Sequence, residues 1–398
     1  MNTLKTLRLL ALLLLFSVSF AQAQQEQQPE EKPSKGWFDK IHLGGYMQVR
    51  YNGLLQTNPN LGCAQCDESW GGEENSLSLR RLRFKIYGQI HPRVFFYFQP
   101  DFSKSVGESH HVGRLKDAYF DLGLDRDNEF RLRIGQSKVP FGYENLQSSS
   151  QRLPLDRDDA LNSGLKDERD LGVFFYWANK EKRNLMNELK RDGMKHSGDF
   201  GVFALGFYNG QTANHPDKNG EFHVVTRFSL PIEVGSQVIE PGVQAYRGKY
   251  VVDKISPELA SDLGHEYLDQ RAAVSFVLYP KPFGIQAEYM VGQGPEFNQQ
   301  AQKIEVQNLH GGYVTFSYIA GHFIPFSRLQ YYDGGKKHEL DARSYTVKEL
   351  ELGVEWQPVK AFELVAMYTV SNRRYEDFQL QDNRQEGSLL RIQAQLNF

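Results

Sequence analysis

Leu390-Arg391-Ile392-Gln393-Ala394-Gln395-Leu396-Asn397-Phe398 is the stretch whose alternation decides the fold. Apolar side chains stand at 390, 392, 394, 396 and 398, with polar ones between them. Successive residues of a strand point to opposite faces, so this segment has one greasy face and one wet face. A soluble sandwich also contains such strands, and on this segment alone it is the simpler reading. A transmembrane barrel needs the same pattern for another reason. Its apolar residues meet lipid, its polar ones line a lumen, and aromatics such as Phe398 gather at the membrane interfaces.

The remainder of the chain favours the barrel. About sixteen period-two segments are bounded by turn residues: 41–52, 77–89, 93–103, 114–124, 129–137, 169–178, 198–209, 221–230, 239–250, 268–279, 283–293, 310–320, 323–333, 344–356, 361–373 and 386–398. Their connections alternate. Those at 53–76, 104–113, 138–168, 251–267, 294–309, 334–343 and 374–385 read as long. Those near 90–92, 125–128, Pro280-Lys281-Pro282, Gly321-His322 and 357–360 read as tight. Tight periplasmic turns alternating with long outer loops mark an antiparallel up-and-down membrane β-barrel. An even strand number places both termini on the periplasmic side. Residues 179–197 break the alternation: a charged, helical insertion falls where a tight turn belongs, and the sequence assigns it no role.

The N-terminus agrees with export. Lys5 and Arg8 precede an apolar run from Leu9 to Phe20 and the small-residue site Ala21-Gln22-Ala23, so residues 1–23 read as a signal peptide. Residues 24–36, rich in Gln, Glu and Pro, read as a flexible periplasmic tail, and 37–398 as one barrel domain. No later run approaches the roughly 18 apolar residues of a membrane helix. The 20 Tyr and 27 Phe suit interfacial girdles, while a net charge of −3 gives no reason to invoke nucleic acid. Cys63 and Cys66 form a C-x-x-C in a polar loop of an exported protein, where a local disulfide is the default. Zinc would need two further ligands, and a redox role would need a βαβ context. Nucleophile-elbow, zinc-protease, P-loop and dinucleotide motifs are all missing, and His110-His111 reads as a solvated pair. The expectation is therefore a channel, with no catalytic residues, metal or cofactor.

Charge placement is more informative than net charge. In the second segment Leu82, Phe84 and Ile86 share one face, and Arg81, Arg83, Lys85 and Tyr87 the other. In the fifth, Arg131 and Arg133 oppose Phe130, Leu132 and Ile134. A cation at the lipid midplane costs roughly 2–4 kcal/mol, so these cations belong in the lumen. There they either attract anions or pair with inward acids such as Asp101, Asp117 and Asp121. The 138–168 connection, from Lys138 through Ser148, Ser149 and Ser150 to Arg157-Asp158-Asp159, is too long to be structureless without a job. It is expected to fold into the lumen as a constriction loop, the alternative being an external flap.

Arg80-Arg81-Leu82-Arg83-Phe84, Phe98-Gln99-Pro100-Asp101-Phe102, Leu115-Lys116-Asp117-Ala118-Tyr119, Arg133-Ile134-Gly135-Gln136, Val139-Pro140-Phe141-Gly142, Glu144-Asn145-Leu146-Gln147-Ser148-Ser149 and Glu168-Arg169-Asp170-Leu171-Gly172 together resemble the phosphate-selective porin O/P family. The match is dense from 41 to 175 and weaker to Phe398. The resemblance implies a homotrimer of sixteen-stranded barrels in the outer membrane. It also implies a basic lumen, an anion site using the Arg80-Arg81 pair and Asp117, and hydroxyls from Ser148-Ser149 at the constriction. Two-residue alternation forbids both arginines from pointing inward unless a bulge intervenes. Tyr46 stands where selective members carry an arginine and Asn145 where they carry a lysine, and no lysine is evident near 308–312. The function expected is passive diffusion of small anions, phosphate or polyphosphate among them, with outer-membrane lipid as the surrounding partner. A general porin for small polar solutes and a surface-binding adhesion barrel are the alternatives.

Overall fold

The structure, a computed structural model, describes residues 36–57, 75–106, 109–259 and 264–398. The signal peptide, nearly all of the tail, and Cys63 and Cys66 lie outside the described residues. Trp37–Lys40 form a single 3-10 turn in a unit separate from residues 41–398.

Residues 41–398 carry seventeen strands: β1 (Ile41–Thr57), β2 (Asn75–His91), β3 (Val94–Val106), β4 (Ser109–Gly123), β5 (Phe130–Lys138), β6 (Arg169–Trp177), β7 (Phe203–Tyr208), β8 (His223–Ser229), β9 (Ile232–Val234), β10 (Gln237–Val251), β11 (Glu266–Leu278), β12 (Phe283–Asn298), β13 (Lys303–Tyr318), β14 (Phe323–Gly335), β15 (Ser344–Val359), β16 (Phe362–Glu376) and β17 (Asn383–Asn397). Each pairs antiparallel with its neighbour, and β17 pairs with β1 to close the ring. β8 and β9 both pair with β10, so they are two pieces of one stave, interrupted at Leu230-Pro231, where proline offers no N–H. The result is a closed sixteen-stave antiparallel β-barrel.

Side chains follow an inverted core rule. Along β17, Arg391, Gln393 and Gln395 are buried, whereas Ile392, Leu396 and Phe398 are exposed. Outward rings contact one another at the end carrying the tight turns: Phe130 with Trp177, Phe175 with Phe203, Phe283 with Phe316, Trp356 with Phe323 and Phe362, and Phe84 with Phe398. That is the aromatic girdle of a barrel whose outer face meets lipid.

Two connections read as long are instead strand. β3 runs to Val106 and β4 starts at Ser109, while β12 and β13 leave only 299–302 between them. Beyond the membrane both faces are wet, so period-two contrast vanishes around Ser103-Lys104-Ser105, and Gly294-Pro295 mimics a break. The segment read as 198–209 shrinks to β7 because its first residues belong to the insertion before it. That insertion does carry a helix.

Candidate functional site

The connection after β5 turns into the lumen. Gly142, at φ 81°, a conformation costly for any side chain, redirects the chain into a short helix, α1 (Tyr143–Leu146). A second, α2 (Asp159–Gly164), is capped by Asp158, which accepts from Leu161 N at 2.9 Å. The loop sorts its side chains by wall. Val139, Phe141, Leu161 and Leu165 pack on Phe174 of β6, Tyr246 of β10, Met290 of β12 and Val347 of β15. Leu153 and Leu155 pack on Ile324 and Phe326 of β14 and on Val365 and Met367 of β16.

Ion pairs pin the same loop around the ring. Glu144 binds Arg328 of β14 at 2.8 Å, and Arg328 also reaches Glu351 of β15. The Tyr143 and Glu144 amides donate to Glu288 of β12. Asp159 binds Lys336 and Arg373. Toward β1, β2 and β17, Asp156 receives Arg50 and Arg391, each at 2.8 Å, and Arg80 at 3.2 Å. Glu168 is held by Arg169 at 2.9 Å, Lys138 and Arg157 at 3.0 Å, and Arg152 at 3.7 Å. One carboxylate with three cations and another with four leave this side of the lumen with surplus positive charge.

The adjacent arginines both enter the lumen through a bulge, the condition for two neighbouring residues to share a face. Gln48 pairs with Arg81, but Val49 pairs with Leu79, leaving Arg80 as the extra residue. A second bulge, with Gln99 opposite Asp117 and Pro100 opposite Leu115, turns both Lys116 and Asp117 inward. Arg81 donates to Gln48 Oε1 at 2.7 Å, while its Nε has no partner. Among the described residues no carboxylate lies within 4 Å of it, and the guanidinium groups acting on it are those of Arg80, Arg83 and Arg152. Lys85 likewise has no acid within that distance among the described residues; its ammonium sits 5.1 Å from the Tyr46 ring centroid.

Other expected site residues are neutralised. Arg83 binds Asp101 at 2.7 Å, Arg133 binds Asp121 at 2.7 Å, Arg131 binds Asp199 at 2.6 Å, and Asp117 binds Arg169 at 2.9 Å. Lys138 is spent on Glu168 and the carbonyls of Asn145, Leu146 and Gln147. Ser149 Oγ meets the Tyr46 hydroxyl at 2.6 Å and Arg83 at 3.0 Å, while Ser148 pairs with Ser150. Asn145 lies inside the loop fold, accepting from Arg157 at 3.0 Å. Sequence reasoning does not mark Arg50, Arg152, Asp156, Arg157 or Glu168 as site residues. Arg50 is legible as an inward position of β1, and Glu168 opens the motif Glu168-Arg169-Asp170-Leu171-Gly172. Arg152 and Arg157 sit on an irregular loop without periodicity.

The family model for phosphate-selective porin O and P matches residues 64–398. The chain belongs to that family. The outer membrane channel DcaP of Acinetobacter baumannii is similar in fold, with a TM-score of 0.57 at 14% identity over 90% of this chain and 97% of that one. An anion-selective porin from Comamonas acidovorans gives 0.52 at 12% identity, over 90% and 99%. OmpT of Vibrio cholerae in its trimer form gives 0.52 at 10% identity, again over 90% and 99%. No curated protein matches in sequence. Family and closed barrel together mark this porin as an outer-membrane channel protein.

Proposed function

We propose that this porin passively conducts small anions, phosphate among them, along the β1–β5 wall. The observation that carries the reading is Arg81, buried without a carboxylate among three other guanidinium groups. At an effective dielectric of about 20, a monovalent anion some 5–8 Å from one unpaired cation gains roughly 2–3 kcal/mol. A guanidinium also offers paired donors to phosphate. Arg152, which acts on the same guanidinium and whose Nε has no partner, adds further donors. We further propose a homotrimer in the outer membrane, supported by the family and by the trimeric form of a structural neighbour.

A general porin for small polar solutes is the second reading. It is favoured by the pairing of Arg83, Arg131 and Arg133 with Asp101, Asp199 and Asp121. Single-channel recording in a planar bilayer under asymmetric KCl, followed by added phosphate, separates the two. An anion-selective reversal potential with phosphate block of chloride current supports the first. Open steps without selectivity support the second.

A further inference from the structure

The segment between β6 and β7, residues 178–202, replaces what barrel geometry requires to be a tight turn. It holds the amphipathic helix α3 (Lys180–Arg191), started by Asn179, which accepts from Lys182 N at 2.9 Å. One face is buried: Leu185 and Leu189 join Tyr143 of the constriction loop, Val238 of β10, Val277 of β11 and the adjoining Tyr279. The strap after the helix crosses the lumen. Lys195 reaches Glu355 of β15 at 2.7 Å, and β15 stands half-way round the sixteen-stave ring from β6. His196 approaches Glu240 of β10 at 3.5 Å, and Gln147 of the constriction loop donates to the Lys195 carbonyl. The insertion therefore closes the β10–β11 side at the turn end.

Its other face looks onto open space. A cavity of about 570 Å³ runs between that face and β2–β5, lined by Lys85, Tyr87, Arg133, Asn187 and Lys190. A second, of about 620 Å³, lies toward β1 and β15–β17 and again includes Lys85, Tyr87 and Lys190. Asn187 and Lys190 lie three apart on one helix face. Neither Lys85 nor Lys190 has an acid within 4 Å among the described residues.

We propose that the 178–202 insertion is the floor of the channel. It seals one side of the exit and routes solute past Lys190, which acts with Lys85 as a selectivity-determining cation. The routing rests on the channel reading, and Lys190's effect on selectivity rests on the anion reading.

Cysteine modification in single channels tests this, in a background carrying Cys63→Ser and Cys66→Ser. In Lys190→Cys the anion-to-cation permeability ratio falls several-fold. It falls again, with reduced conductance, when a sulfonate-bearing methanethiosulfonate reagent is added. Leu189→Cys, on the sealed face, stays unreactive. Lys195→Met, which unseats the strap, raises open-channel current. Labelled Lys190→Cys with unchanged current overturns the proposal, provided Arg81→Gln does shift the reversal potential. Were Arg81→Gln silent while Lys190→Cys labelling reduced conductance, the routing would stand and the anion reading would fall.

Discussion

The two sides of this lumen are built on opposite economies. Along β1–β5 and β17, carboxylates are outnumbered: Asp156 serves three cations and Glu168 four, and Arg81 has none among the described residues. Along β10–β16 several pairings run the other way, although Asp159 and Asp269 each hold two cations. Arg328 is shared by Glu144 and Glu351, and Lys195 by Glu355 and Glu363. Glu288 is satisfied by amides and the Tyr313 hydroxyl, with no cation within 4 Å among the described residues. The second side also carries the apolar packing of the constriction loop. Charge that is balanced and packed fixes the loop; charge left over is available to a solute. On the proposed function, the wall divides into scaffold and passage by where acids stand relative to the bases.

That contrast breaks most visibly at Arg328. Arg328→Met leaves the buried Glu144 with no cation within 4 Å among the described residues and Glu351 with Arg391 alone, at 3.6 Å, an expected loss of about 3–5 kcal/mol. Thermal unfolding in detergent should drop, and protease should cut within 138–168. A variant as resistant as the parent would mean the scaffold side does not hold the loop. On the passage side, Arg81→Gln should leave stability nearly intact but lower the anion-to-cation permeability ratio several-fold, an effect of about 1–2 kcal/mol. Arg133→Gln, whose charge Asp121 already offsets, should change the ratio less, and the reverse ranking would dissolve the distinction.

Tyr46→Phe removes the hydroxyl shared by Arg83 and Ser149 and should cost about 1 kcal/mol. Guanidinium titration of the refolded variant checks it, with selectivity expected to hold. The smallest effect concerns Asp199, at the root of the insertion. Burial pushes its carboxyl up, but Arg131 and Arg183 hold it down at about 2. A depressed carboxylate contributes fully above its ordinary value near 4 and is lost as pH falls toward 2. Proteolysis after acid exposure should therefore reach α3 within that window and not above it, and Asp199→Asn should abolish the change.

Much of the barrel is legible in the sequence because alternation is a local property. All sixteen staves are visible as period-two runs, and a bulge at Arg80-Arg81 follows once the family resemblance places both arginines in the lumen. The inward placement of Arg81, Arg83, Lys85, Arg131 and Arg133 follows from the cost of putting them in lipid. Pairing is what the sequence withholds. The sequence offers Asp101 and Asp121 as inward acids but does not say which cation each one neutralises, because register sets that contact. Arg152 and Arg157 lie on a loop whose path depends on distant apolar contacts such as Leu153 with Met367. The insertion is visible as a helix, but its crossing to Glu355 depends on closure of the whole ring.

Asp156 also bears on assembly. Its two closest partners, Arg50 and Arg391, belong to the first and last strands, which meet at the seam of the barrel. Neither contact spans the gap alone; the loop grips both edges from inside at once. Docking of the constriction loop and joining of the chain's two ends therefore share the same contacts. The loop that narrows the lumen thus also helps hold the cylinder shut, and a change at Asp156 bears on both at once.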